Sequence, residues 1–129
     1  MKCPAFICAL YSALMLALSG CGTLTPAQSA ARAAVTSAHA AYDAGDYERT
    51  LYILGHSRDI DSGNTDTQIE AHKLMAFSYC VTNRVSLCRM EFSKILDINP
   101  HFELSTAEKG HPIWGPAFEA ARRKHLAPS

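Results

Sequence analysis

The stretch AAYDAGDYE at residues 40–48 is the clearest indication of the fold in this sequence. Before it, small residues recur at spacings of three and four, which predicts a helix with a narrow apolar face from about Ser29. Within it, Gly45 supplies the left-handed backbone that ends a helix, and Asp46 can cap the next one. After it, apolar residues recur at helical spacing until Gly55. The stretch therefore predicts a turn between two helices.

A second helix pair follows the first. The segment from His56 to Asp66 is rich in polar residues and is expected to be a loop. Helical spacing then predicts one helix from about Thr67 to Val81 and another from Val85 to about Ile98. Between them Asn83 tolerates the left-handed geometry, and Asn99-Pro100 stops the last helix because the residue before proline disfavours helix.

The two pairs are one pattern used twice. Gly45 and Asn83 mark a repeat of about 38 residues. The positions that correspond are, in order, Ala38, Tyr42, Thr50 and Leu54 in the first copy and Ala76, Cys80, Cys88 and Phe92 in the second. Two repeats leave exposed ends that must be capped. We expect a last helix from Pro112 to Lys124 to supply this cap, with Ile113, Trp114, Phe118 and Ala121 covering the second pair.

This pattern resembles the tetratricopeptide (TPR) helix-turn-helix, most clearly at residues 40–48 and from Phe92 to Pro100. Thr50 and Cys88 stand where that family usually has alanine, and the first copy lacks the terminal proline. The resemblance implies an all-α, TPR-like stack of two antiparallel helix pairs plus a C-terminal capping helix, over residues 29–126. It also implies a protein-interaction platform.

The N-terminus has the order of a signal peptide. A lysine precedes a largely apolar run from Cys3 to Leu18, which ends in Leu18-Ser19-Gly20-Cys21. The last four residues resemble the lipobox of bacterial lipoproteins, which implies a signal peptide at residues 1–20 and a lipid on Cys21. The alternative is an ordinary secretory signal that happens to be followed by a cysteine.

The predicted lipid fixes the location of the protein. Two or more acyl chains hold a protein firmly to a bilayer, so the anchor is effectively permanent. Gly22 stands where an aspartate would retain a lipoprotein at the inner membrane, which favours the periplasmic face of the outer membrane. Residues 21–28 are expected to be a short lipidated tether before the helical domain.

The charge of the chain limits its possible partners, and its cysteines predict a disulfide. The chain has 12 Lys plus Arg and 12 Asp plus Glu, so it offers no electrostatic footprint for nucleic acid. After processing, Cys80 and Cys88 remain as an even pair in an oxidising compartment, which predicts a disulfide between them. The alternative is two reduced cysteines packed in the core.

The layout of the whole chain is similar to the small lipoproteins associated with type VI secretion systems (the TssQ-like group). The residues that carry this similarity are the lipobox, the Cys80 and Cys88 pair, NPHFEL at residues 99–104 and GHPIWGP at residues 110–116. The resemblance implies an accessory of an envelope secretion machine, without catalysis. A pilotin-like chaperone of an outer-membrane subunit is the alternative among binding proteins.

An enzyme that acts on peptidoglycan or an ester is the rival class. Residues 55–59 begin like a Gly-x-Ser-x-Gly nucleophile elbow, but the fifth residue is Asp59 and no strand precedes it. Glu103 and Glu108 are more consistent with solvated and capping residues than with a glycosidase pair. The six histidines show no zinc-ligand spacing, so we expect no catalytic residue, metal or cofactor.

A binding surface is therefore the expected working part. Large aromatic side chains contribute disproportionately to interface energy, and Tyr52, Phe102 and Trp114 are the predicted partner-binding residues. The alternative for each is a place in the core. We expect protein partners of the cell envelope or secretion machinery, and no small-molecule substrate.

Overall fold

The computed structural model describes residues 22–129, and this part of the chain is helical with no strand. Its elements are α1 (Pro26–Asp43), α2 (Tyr47–His56), a 3-10 turn (Ile60–Ser62), α3 (Thr65–Val81), α4 (Val85–Ile98), α5 (Thr106–Lys109) and α6 (Trp114–Leu126). The all-α prediction is confirmed for these residues. The predicted signal peptide at residues 1–20 and the predicted lipidation site Cys21 lie outside the described residues.

The two interhelical turns have the same hydrogen bonds, 38 residues apart. After α1, the N–H groups of Ala44, Gly45 and Asp46 donate to the carbonyls of Ala40, Tyr42 and Ala41. After α3, those of Thr82, Asn83 and Arg84 donate to the carbonyls of Ser78, Cys80 and Tyr79. The left-handed residues are Gly45 (φ 76°) and Asn83 (φ 63°), as predicted. Both turns are therefore Schellman motifs, in which the last helical carbonyls receive donors.

Each turn reverses the chain into a helical hairpin. In the first, Thr50 Oγ1 donates to the carbonyl of Ala38 at 3.3 Å, and the rings of Tyr42 and Tyr47 meet edge to face near the turn. In the second, Cys80 and Cys88 lie at disulfide distance, with Cα atoms 5.2 Å apart. Further from that turn, Phe77 contacts Phe92 and His72 contacts Glu91. In both hairpins, contacts further from the turn lie earlier on the first helix and later on the second, so each pair is antiparallel.

The start of α1 and the segment after α2 differ from the prediction. Helix α1 begins at Pro26 instead of Ser29, because Thr25 and Gln28 form a capping box and proline favours the first helical position. The predicted loop from His56 to Asp66 contains the 3-10 turn, whose Ile60 is buried against α1 and α3. One apolar residue among many polar ones gives no periodicity, so this turn had no detectable sequence pattern.

The segment after α4 is fixed to α3 by polar contacts. Ser105 and Glu108 form a capping box at the start of α5. The carboxylate of Glu108 also lies 3.1 Å from Lys73 Nζ on α3. The carbonyl of Glu108 accepts a hydrogen bond from Trp114 Nε1 at 2.9 Å. These contacts set where α6 begins, at Trp114 instead of the predicted Pro112.

Helix α6 covers the second hairpin, but it does not begin a third copy of the pattern. Phe118 packs against Phe92, and further along both helices His125 lies 3.5 Å from Asp97. The contacts thus advance in the same direction along α4 and α6, unlike those within each hairpin. Trp114, Phe118 and Ala121 pack on the core as predicted, whereas Ile113 is exposed.

We predict that Gly115→Ala destabilises the fold, whereas Gly110→Ala does not. A Cβ at Gly115 would lie 2.4 Å from the backbone carbonyl oxygen of Lys109, so α5 and α6 would have to separate. A Cβ at Gly110 would meet its nearest atom at 3.6 Å, an ordinary contact. Urea unfolding of residues 22–129 should show a loss of about 1–3 kcal/mol for Gly115→Ala. Equal stability of the two variants would contradict the close approach of α5 and α6.

Candidate interaction surface

The predicted anchor Tyr52 lies on the outer face of α2. Its side chain is 64% exposed and stacks on His56 with ring centroids 4.1 Å apart. Together with Glu48, Arg49 and Leu51 it lines an open hollow of about 570 Å³. Tyr52 is thus available to a partner without rearrangement of the helix.

The other two predicted anchors are half-buried and pack against the core. Trp114 stacks between the rings of Phe77 and His111, and its indole N–H is already hydrogen-bonded to Glu108. Phe102 packs edge to face on Phe118. These contacts give both side chains a role in holding the C-terminal segment, so a partner would reach only their outer edges.

Two apolar residues that were not predicted as anchors from the sequence lie on the outer face of α4. Leu87 is 37% and Met90 45% exposed. Met90 lines a groove between α4 and α6 with a volume of about 390 Å³. We call this the α4/α6 groove; its lining residues are Ser86, Arg89, Met90, Ser93, Ala120, Ala121 and Lys124. The repeat contains a signal for it, since Met90 occupies the position of Tyr52 38 residues later.

The outer faces of α2 and α4 therefore carry exposed apolar side chains at equivalent positions. Exposed apolar groups next to charged ones are typical of protein interaction surfaces. Leu24, Ile113 and Leu126 are the other large apolar side chains exposed in residues 22–129.

A buried carboxylate that was not predicted from the sequence lies between α3 and α4. Glu91 is only 1% exposed. One of its oxygens lies 2.7 Å from His72 Nδ1 and the other 2.8 Å from Lys94 Nζ. Because an ionised carboxylate only accepts hydrogen bonds, both nitrogens donate. Helical periodicity does not distinguish a buried glutamate from an exposed one, so no sequence signal marked this residue.

These contacts keep Glu91 ionised. Burial raises the pKa of the Glu91 carboxyl, but the hydrogen bonds and charges of His72 and Lys94 outweigh it, and the pKa is lowered overall. Next to the His72–Glu91 contact there is an open hollow of about 360 Å³. It is lined by Asp61, Gln68, His72, Lys94, Asp97 and Ile98. The hydrogen bond between His72 and Glu91 ties α3 to α4.

The two carboxylates of the rival enzyme hypothesis have different partners. Glu103 forms ion pairs with Lys109 and Arg122. Glu108 is committed to Lys73 and to the cap of α5. Within residues 22–129, no group of three or more His, Cys, Asp or Glu side chains is placed to hold a metal ion.

No helix among the described residues is both long and apolar enough to cross a bilayer. No protein-family model, curated protein or solved structure matches the chain.

We predict that Glu91→Gln lowers stability at neutral pH and that the loss shrinks in acid. The lowered pKa of Glu91 stabilises the fold above the unfolded pKa, near 4.3, and this contribution disappears as pH falls through the folded pKa. The loss at pH 7 should be about 2 kcal/mol, as for hydrogen bonds to a charged group.

The matched control is Glu48→Gln, because the Glu48 side chain is 72% exposed in its ion pair with Arg84. It should change stability by less than about 1 kcal/mol. Urea unfolding of both variants and the unchanged chain at pH 7 and pH 3.5 makes the comparison. A Glu91→Gln deficit that stays constant between the two pH values would refute the ionic role of Glu91.

Proposed function

We propose that the protein is a lipoprotein, anchored by acylated Cys21 to the periplasmic face of the outer membrane, that acts as a protein-interaction or assembly accessory. The repeated hairpin is the observation that carries this proposal. Both turns use the same hydrogen bonds, and α3 packs against both helices of the first hairpin. We infer a TPR-like stack from this packing, and stacked helix pairs present extended surfaces that bind proteins.

A short tether supports a role close to the membrane. Helix α1 begins at Pro26, only five residues after Cys21. Five residues span at most about 17 Å even when fully extended. If Cys21 carries the lipid, the start of α1 stays within that distance of the bilayer. The partner would then be a membrane component or a protein that approaches the membrane.

A type VI secretion system or a related envelope machine is the proposed setting. It rests on the similarity described above between this chain and the TssQ-like lipoproteins. The NPHFEL and GHPIWGP segments of that similarity form the connection after α4 and the start of α6, which hold α6 against α3 and α4. A pilotin-like role is the alternative among binding functions.

A non-catalytic role is also part of the proposal. Glu103 and Glu108, the carboxylates that a peptidoglycan-acting enzyme would need, are engaged in different ion pairs. A triple variant with Ser57, Glu103 and Glu108 changed to alanine tests the point. A scaffold should still capture its partner if helicity is retained, whereas an enzyme should lose its activity.

Affinity capture of the intact lipoprotein tests the main proposal. Cells are grown with radiolabelled palmitate, crosslinked and solubilised in detergent, and captured proteins are identified by mass. We expect palmitate in the protein and co-purification of secretion-machine components. Cys21→Ser should lose the label and the membrane association.

Palmitate-free protein would reject the anchor. Recovery of murein enzymes alone would reject the assembly role, and recovery of an outer-membrane pore alone would favour the pilotin alternative.

A further inference from the structure

The α4/α6 groove has an apolar floor between polar walls. Met90 contributes a side chain that is 45% exposed. On the α6 side, the small side chains of Ala120 and Ala121 form a shallow wall. Ser86 and Ser93 lie on the same side of α4 as Met90, one turn before it and one turn after it. The small residues of α6 leave space that a side chain from another molecule can enter.

Both charged residues of the groove are cations. Arg89 belongs to α4 and Lys124 to α6, and no carboxylate is among the lining residues. Neither cation forms an ion pair within residues 22–129, whereas Arg84 and Arg122 both do. The groove thus offers positive charge next to exposed apolar surface. Its complement is a segment with carboxylates beside apolar side chains.

The corresponding surface of the first hairpin has a different charge. Thirty-eight residues before Ser86, Arg89 and Met90 stand Glu48, Leu51 and Tyr52. Glu48 is paired with Arg84, so the negative charge there is already neutralised. The hollow beside Tyr52 thus has one cation without an ion pair in residues 22–129, Arg49, next to a carboxylate, whereas the α4/α6 groove has two such cations and no carboxylate.

We propose that the α4/α6 groove binds an acidic amphipathic helix of a partner protein. A helix presents apolar residues at spacings of three and four along one face, flanked by charged ones, and such a face fits a groove between two helices. A bilayer surface is too broad to enter a groove of about 390 Å³. This inference rests on the proposed function, because it assigns the surface through which the accessory holds its partner.

Site-specific photocrosslinking of the full-length lipoprotein in cells tests the inference. A photoreactive amino acid replaces Met90, and in a control chain it replaces Thr36, which is exposed on α1. We expect a protein crosslink at position 90 and none to the same protein at position 36. The crosslinked peptide, mapped by mass, should carry Asp or Glu beside apolar residues at helical spacing.

Charge reversal gives the matched comparison. Arg89→Glu combined with Lys124→Glu should reduce the position-90 crosslink by about tenfold or more, because like charges would then face each other. Arg32→Glu, which reverses an exposed arginine on α1 outside the groove, should leave it unchanged. Circular dichroism of each variant establishes that helicity is retained.

Other outcomes overturn the inference. These are a crosslink to phospholipid, to a second copy of this chain or to a peptide without carboxylates, and a yield that survives the double reversal. If position 90 gives no crosslink while affinity capture still recovers a partner, the groove assignment fails and the proposed function stands. If affinity capture recovers no partner, both fail.

Discussion

Helix α3 packs against the first hairpin, α4 and α6 at the same time, and the rest of the structure depends on this packing. It supplies Ala71 and Leu74 to the cluster shared with the first hairpin, and Ala76, Phe77 and Cys80 to the cluster shared with α4 and α6. It is covered so completely that the hydroxyl of Ser78 is buried without a hydrogen-bond partner among the described residues. Such a helix has apolar residues around its whole circumference. Polar contacts then fix the alignment of α3. Its His72 contacts Glu91 of α4, and its Lys73 contacts Glu108 of the C-terminal segment.

Much of this architecture could be predicted because the turns obey local rules. Gly45 and Asn83 adopt the left-handed conformation that few other residues tolerate, and proline at position 100 follows the end of α4, so the hairpins were visible in the sequence. Ile60 and the direction of α6 could not be predicted. Both depend on contacts between residues far apart in the chain, and neither leaves a periodic pattern.

The interaction surface was predicted only in part, because aromatic residues serve cores and interfaces alike. Tyr52 is exposed, but Trp114 and Phe102 face the ring cluster around Phe77 and Phe118. Residue type alone does not separate these cases. The α4/α6 groove depends on which face of α4 remains uncovered once α6 has packed, and that is a property of the tertiary structure. If the groove holds a partner, the same packing that closes the core also builds the binding site.

Hydrogen exchange of residues 22–129 tests the central place of α3 most directly. An amide hydrogen exchanges when the structure around it opens, and opening is rarer where more contacts must be broken. The amides of a helix that is enclosed on several sides therefore exchange last. We predict that amides between Leu74 and Cys80 exchange most slowly and that those of α1, which is exposed along one face, exchange sooner. Amides of α3 that exchange as fast as those of α1 would contradict a common core shared by the two hairpins.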